Sequence, residues 1–310
     1  MSLSEFDLIE RFFKRPLKNP FNRIGIGDDC ALIKLPESLQ LAVTTDTMVQ
    51  NVHFFEHVSA QDLGHKLLAV NLSDLASMGA QPFAITLALT MPSVDEKWLN
   101  DFAEGLFNLA DLYSIDLIGG DTTKGHLTLT LQALGYLPNH LGLRRNAAQA
   151  GDLICVTGSI GDAGLGLKIL QGHNGNYSAQ PLNRFHRPLA KINEGLAIRH
   201  LAHACIDISD GLAADLTHIL QKSSVGAIID YDTLPLSTDV KTYIAMTDDW
   251  QLPLIAGEDY ELCFTIKAED YPKLTIHHKV IGMIEAEPGL RILRHGQLQT
   301  LQVKGFEHFS

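Results

Sequence analysis

Ala204-Cys-Ile-Asp-Ile-Ser-Asp-Gly-Leu-Ala-Ala-Asp-Leu-Thr-His-Ile-Leu-Gln-Lys222 holds a strand, a turn and a helix in immediate succession. The run 204–208 is apolar and ends on turn residues, the pattern of a buried strand. Leu212, Leu216, Ile219 and Leu220 then fall on one side of a helix predicted over 211–222. On the extended strand Asp207 and Ser209 face the same way. The helix that follows turns its positive N-terminus toward them, a setting suited to phosphate. Ser209 or Asp210 also reads as an ordinary helix cap, which accounts for one of these residues and not for Asp207.

Outward from this unit the same alternation repeats. Strands are predicted over 39–45, 84–90, 116–118, 127–136, 153–157 and 262–266. Helices are predicted over 4–13, 59–78, 98–113 and 190–200, with Ser59 as a cap and Gly79 as a stop. Alternating strands and helices point to an α/β or mixed α+β fold. The stretch 138–151 is loop-like and carries Pro, Gly, Asn and two arginines, so a domain boundary is expected there, giving 1–140 and 141–310. No tandem repeat or low-complexity segment interrupts the pattern.

The composition is that of a packed protein. Of 310 residues 45% are hydrophobic and 19% charged, enough core for one large or two medium domains. The formal net charge of −12 argues against a general nucleic-acid binder. It fits carboxylates neutralised by bound Mg²⁺, and equally an acidic surface that keeps a protein in solution. Cys30, Cys155, Cys205 and Cys263 form no C-x-x-C pair, which fits a reducing compartment. The N-terminus lacks the apolar core of a signal peptide, and no run approaches ~18 apolar residues. A cytoplasmic protein with no membrane partner is expected.

The acids stand in unusual places. Leu63, Leu67 and Val70 mark the core stripe of the 59–78 helix, and Asp74 and Met78 continue it. A carboxylate there is costly unless it is paired or holds a metal. Asp28-Asp29 follows Gly25-Ile26-Gly27, and Thr44-Thr45-Asp46 ends a predicted strand. Gly119-Gly120-Asp121-Thr122 ends another, and Gly257-Glu258-Asp259-Tyr260-Glu261 precedes a third. Hydroxyl and carboxylate oxygens are hard ligands suited to Mg²⁺, and paired glycines open backbone N–H groups to an anion. Each motif alone reads equally as a solvated turn or cap. Their recurrence in both halves points to magnesium ions around a polyphosphate.

Other nucleotide signatures are missing. There is no G-x-x-x-x-G-K-S/T loop and no protein-kinase motif set. Gly158-Ser159-Ile160-Gly161-Asp162-Ala163-Gly164 follows a strand but lacks the G-x-G opening of a dinucleotide loop. The 14 histidines form no zinc motif; His53 stands out because it follows the Thr-Asp cluster.

Taken together, Gly25-Ile-Gly-Asp-Asp-Cys-Ala-Leu32, residues 44–54, Asn71-Leu-Ser-Asp-Leu-Ala-Ser-Met-Gly-Ala-Gln-Pro82, Gly119-Gly-Asp-Thr122, Arg145-x-x-Ala148-x-x-Gly151-Asp152, Asp207-Ile-Ser-Asp-Gly-Leu212, Gly257-Glu-Asp-Tyr-Glu-Leu262 and Gly305-Phe-Glu-His-Phe309 resemble the thiamine-monophosphate kinases. The resemblance runs over nearly the whole chain in the expected order. Several pieces are shared with aminoimidazole ribonucleotide synthetase, selenophosphate synthetase and a hydrogenase maturation factor. It implies a two-domain α/β fold of the aminoimidazole ribonucleotide synthetase type, whose N-terminal sheet forms a barrel across a homodimer. It implies an N-terminal ATP, Mg²⁺ and dimerisation domain and a C-terminal α/β domain.

By the same resemblance, Asp29, Thr44, Thr45, Asp46, Asp74, Asp121, Asp207 and Asp210 hold several Mg²⁺ ions. Asp46, Asp74 and Asp121 are the catalytic members. Gly120, Asp121, Arg145 and Ser209 contact ATP as co-substrate. His53, Glu258 and a C-terminal aromatic, Phe306 or else Phe309, contact thiamine monophosphate. Gln50-Asn51 departs from the Glu-Gly expected before Val52-His53-Phe54. The expected reaction is in-line attack of an acceptor phosphate oxygen on the γ-phosphorus, without a general base. The rivals are another ATP-using synthetase of the superfamily and a nucleotide-sensing protein that keeps the metal site. Selenophosphate synthetase calls for an N-terminal reactive cysteine and a glycine-rich segment, and none precedes Cys30, while the His53-Phe54 segment and the C-terminal ending disfavour purine synthesis.

Overall fold

The computed structural model describes residues 4–301. Two compact units make up the chain, one up to Leu75 and from Ala80 to His140, the other comprising Ala76–Gly79 and the residues from Leu141 onward.

In the first unit Ser4 caps α1 (Glu5–Leu8), which continues as a π turn over Ile9–Phe13. β1 (Asn22–Ile24) and β2 (Leu32–Ile33) form a two-stranded ribbon. Then follow β3 (Leu39–Val49), α2 (Ala60–Ser77), β4 (Gln81–Met91), α3 (Glu96–Leu112), β5 (Asp116–Lys124) and β6 (Thr128–Pro138). Ser59 Oγ accepts the Asp62 N–H at 3.0 Å and starts α2, whose Leu63, Leu67 and Leu68 are buried. Asp95 caps α3 in the same way, accepting the N–H groups of Lys97 and Trp98. Buried Asp116 accepts the N–H groups of Lys18 and Asn19, both at 2.8 Å, and so ties the N-terminal segment to the sheet.

The four long strands lie in the order β3-β6-β4-β5. β4 and β5, joined through α3, are parallel; the other pairs are antiparallel. Two strands run well past their expected C-terminal ends. β3 runs past Thr45 to Val49, and β5 runs through Gly119 and Gly120 to Lys124. Pairing with β6 and β4 supplies backbone partners along the whole of each, and this overrides the turn character of the local sequence. The Thr-Thr-Asp and Gly-Gly-Asp-Thr motifs therefore lie within strands rather than beyond their ends.

The second unit holds β7 (Leu153–Thr157), α4 (Asp162–Leu170), α5 (Gln180–His186), α6 (Ile192–Ile198), β8 (Ala202–Asp207), α7 (Leu212–Ser223), β9 (Gly226–Asp230), α8 (Thr238–Thr247), α9 (Leu252–Ile255), β10 (Leu262–Ile266), β11 (His278–Glu285), β12 (Gly289–Arg294) and β13 (Gln297–Gln299). Among the described residues its seven strands lie in the order β13-β12-β9-β11-β7-β10-β8, with only β9 and β12 parallel. Ile154, Val156, Ile206, Ile208, Leu212, Leu216 and Ile219 pack into one core between sheet and helix. The β8–turn–α7 passage has the form read from 204–222. The fold is mixed α/β, as expected. Among the described residues no helix is long and apolar enough to cross a membrane, and all four cysteines are free thiols.

Candidate active site

In the first unit Thr44, on β3, donates a hydrogen bond from its hydroxyl to Asp74 Oδ2 on α2. Alternation along β3 puts Thr44 and Asp46 on this helix-facing side and Thr45 and Thr47 on the other. Asp46 and Asp74 are both half-buried. The Asp46 carboxyl is pushed up to about 6, first by burial and then by the Asp74 charge. This is a pair of hard oxygen donors whose mutual repulsion a divalent cation relieves. Met78, predicted on the core stripe beyond Asp74, is 39% exposed, so the stripe ends at Asp74.

Asp121 lies elsewhere. It pairs with Ala88, Ala88 with Thr130, and Thr130 with Thr47, one row straight across the sheet. Asp121 thus shares a face with Thr45 and Thr47, opposite Asp46, and is exposed. Three strand spacings, roughly 14 Å, separate β5 from β3 within one chain. Gly120 has φ 152°, and a Cβ there would sit 1.9 Å from the Leu87 carbonyl oxygen, so only glycine fits. Asp29 is exposed in the β1–β2 connection, where its N–H donates to Asp28 Oδ1 at 3.1 Å. Among the described residues no group of three or more His, Cys, Asp or Glu side chains is gathered closely enough to hold a metal ion.

His53 stands in the turn after β3, its Nδ1 accepting the Val49 N–H at 3.0 Å, which leaves the Nε2 side to carry the proton of the neutral ring. Asn51 in that turn has φ 64°. Asparagine is among the few residues that tolerate this region, so Asn51 keeps the backbone expected of glycine.

In the second unit Asp207 is buried at the end of β8, paired with Leu262, while Ser209 and Asp210 are half-buried in the turn beyond. Sequence reasoning passed over Asp215. It is 2% exposed, and its Oδ2 accepts the N–H groups of Ser209 at 2.9 Å and Asp210 at 3.0 Å. Burial, opposed by these hydrogen bonds, pushes its carboxyl up to about 7; the Arg145 charge lowers it and the Asp210 charge raises it. Asp215 lies on the same apolar stripe as Leu212 and Ile219, the signal that had marked Asp74.

The acid run before β10 packs on this turn. The Glu258 N–H donates to the Ser209 carbonyl at 2.9 Å, and a Cβ on Gly257 would meet that oxygen at 2.1 Å. Glu258 is half-buried, whereas Asp259 and Glu261 are buried. The structure thus brings together Thr44, Asp46 and Asp74 in one unit, and Asp207, Ser209, Asp210, Glu258 and the charge of Arg145 in the other. Phe306 and Phe309 lie outside the described residues.

Comparison with known proteins adds to this geometry. Residues 27–137 match the model of the AIR synthase related protein N-terminal domain, and residues 149–276 that of the C-terminal domain. A thiamine-monophosphate kinase of Haemophilus influenzae is 44% identical over 325 residues, spanning 100% of this chain and 99% of its own length. That of Escherichia coli K12 is also 44% identical, with 100% and 99% covered. The crystal structure of thiamine-monophosphate kinase from Stenotrophomonas maltophilia superposes with a TM-score of 0.85 at 41% identity, covering 94% of this chain and 97% of that one. A structure described as AaThiL complexed with AMPPCP and TMP superposes with a TM-score of 0.80 at 30% identity, covering 98% and 97%.

Proposed function

The chain belongs to the thiamine-monophosphate kinase family of AIR synthase-related proteins, and we propose from that premise how its residues carry the reaction. The chain is an ATP-dependent kinase that phosphorylates thiamine monophosphate to thiamine diphosphate. A phosphate oxygen of thiamine monophosphate attacks the γ-phosphorus in line. The new P–O bond forms as the bond to the β-phosphate oxygen breaks, leaving ADP. The attacking oxygen is already anionic near neutral pH, so the protein need not remove a proton; it positions the two phosphates and offsets their charge.

The observation that carries the residue assignment is the Thr44–Asp46–Asp74 group, with the Asp46 carboxyl raised to about 6. Such a set of hard oxygens fits Mg²⁺. Thr44, Thr45, Asp46, Asp74 and Asp121 would hold such ions, with Asp29, Asp207 and Asp210 as further ligands. When bound, Mg²⁺ supplies neutralisation of phosphate charge. Gly120 and Asp121 on β5, Arg145, and Ser209 before α7 face ATP. His53, Glu258 and Phe306 are the expected contacts of the acceptor.

The registry of the first unit supports a homodimer. β3 and β5 are the two edges of its sheet, and Leu41 and Val43 on β3 are 47% and 51% exposed. If β5 of one copy lies along β3 of the other, the sheets continue into a shared barrel. Asp121 then stands next to β3 of its partner, on the face that carries Thr45, which it cannot reach within one chain. A reducing, cytoplasmic setting fits the four free thiols.

The test is chromatography of ATP reactions supplied with thiamine, thiamine monophosphate or neither. Thiamine diphosphate from the monophosphate alone supports the assignment; product from free thiamine alone, or none from either, contradicts it.

A further inference from the structure

Two of the acids before β10 are buried and bonded within the protein. Glu261 is fully buried, and three side chains converge on it. Arg184 of α5 donates to Oε1, Lys191 at the start of α6 lies 3.1 Å from Oε2, and the Thr157 hydroxyl donates to Oε2 at 2.6 Å. The carboxylate fits because residue 158 is glycine, where a Cβ would meet Oε1 at 2.2 Å. A lone buried carboxylate is costly; two cations and a hydroxyl offset that cost. Asp259, also buried, accepts the N–H groups of Gly161 at 2.7 Å and Ala163 at 3.3 Å at the start of α4.

The backbone around these anchors is left-handed at Glu258, φ 72°, and at Tyr260, φ 50°. Non-glycine residues hold such conformations only where the surroundings enforce them. The same backbone is stitched to the turn after β8. Tyr260 N–H donates to Ile208 O at 2.8 Å, Ile208 N–H to Glu261 O at 2.8 Å, and Glu258 N–H to Ser209 O at 2.9 Å.

We propose that Arg184 and Lys191 are positioning residues for phosphoryl transfer: by gripping Glu261 they hold the strained 258–260 turn, and so set Glu258 against Ser209. Both cations act on the turn through Glu261. The effect on kinetics rests on the reading of Glu258 as an acceptor contact; the effect on the turn does not.

The test uses the full chain with Lys191→Met, Lys191→Arg, Arg184→Met and Arg184→Lys. KM is measured for both substrates, and amide hydrogen exchange is followed across 258–260. In Lys191→Met the KM for thiamine monophosphate rises about tenfold or more while the KM for ATP stays within about twofold, and Lys191→Arg restores the wild-type value. Exchange at 258–260 quickens while that of the β10 core stays slow. Folded Lys191→Met with wild-type KM and wild-type exchange at 258–260 overturns the proposal. So does an equal rise in both KM values. If Arg184→Met does not fold, Arg184→Lys and Lys191→Met decide the matter. A wild-type chain that makes no thiamine diphosphate defeats the kinase reading, and exchange at 258–260 still decides the grip on Glu261.

Discussion

The Thr44 hydroxyl donates to Asp74 Oδ2, joining the middle of β3 to the last turn of α2. The bond sets the Asp74 carboxylate beside Asp46, and the Asp46 carboxyl rises to about 6 in response to burial and that neighbour. Two carboxylates held side by side within a fold weaken it unless a cation joins them.

Thr44→Val keeps the side-chain shape and removes the donor. The variant is expected to fold, losing about 1–3 kcal/mol in a denaturant titration. The Mg²⁺ concentration for half-maximal activity is expected to rise about tenfold. An unchanged Mg²⁺ midpoint would count against Thr44 and Asp74 acting together.

Asp46→Ala and Asp121→Ala are each expected to be inactive. If Asp121 completes the partner's site, mixing the two variants after subunit exchange recovers up to about a quarter of wild-type activity, because half the dimers are mixed and each has one intact site. An inactive mixture, with exchange verified by mass spectrometry, places Asp121 in its own chain's site.

Stability should fall as pH rises between about 5 and 8 in the absence of divalent cations. Asp46, Asp215 and Asp259 have carboxyls raised to about 6, 7 and 7, above the ordinary 3.8. The folded chain therefore holds protons that the unfolded chain has released. The stability tied to those protons is complete below pH ~4 and is lost as pH passes through 6 to 7. Mg²⁺, which competes with the Asp46 proton, should stabilise more at pH 8 than at pH 5.5. A metal-free melting temperature that is flat or rising from pH 5 to 8 would contradict this.

Asp215→Asn keeps an amide oxygen able to accept the Ser209 and Asp210 N–H groups, which Asp215 Oδ2 accepts alone, and removes the charge that holds the turn. The KM for ATP is expected to rise about tenfold with little change in the KM for thiamine monophosphate. A KM for ATP equal to wild type would show that the turn does not depend on Asp215.

The passage over 204–222 was legible because its apolar pattern is local: a short buried run, a turn, then a helical stripe. The extent of β5 was not, since Gly119-Gly120 reads as a break until β4 lies alongside and pairs through it. Asp74 could be found from its helical spacing, and Asp215 carried the same signal. The roles of Glu258, Asp259 and Glu261 could not be separated in sequence. What divides them is Arg184, 77 positions from Glu261, and Gly161, 98 positions from Asp259. The placement of Asp121 was hidden for a related reason. Motif spacing says nothing of sheet faces, and only the row through Ala88, Thr130 and Thr47 shows Asp121 opposite Asp46.

The most direct measurement is label transfer from [γ-³²P]ATP with thiamine monophosphate and Mg²⁺, with and without EDTA. The label should appear in thiamine diphosphate, one ADP formed per product, and vanish with the chelator. Label found only in inorganic phosphate, or none in thiamine diphosphate while Mg²⁺-dependent ATP binding persists, would contradict the kinase reading and leave only the fold and the nucleotide site.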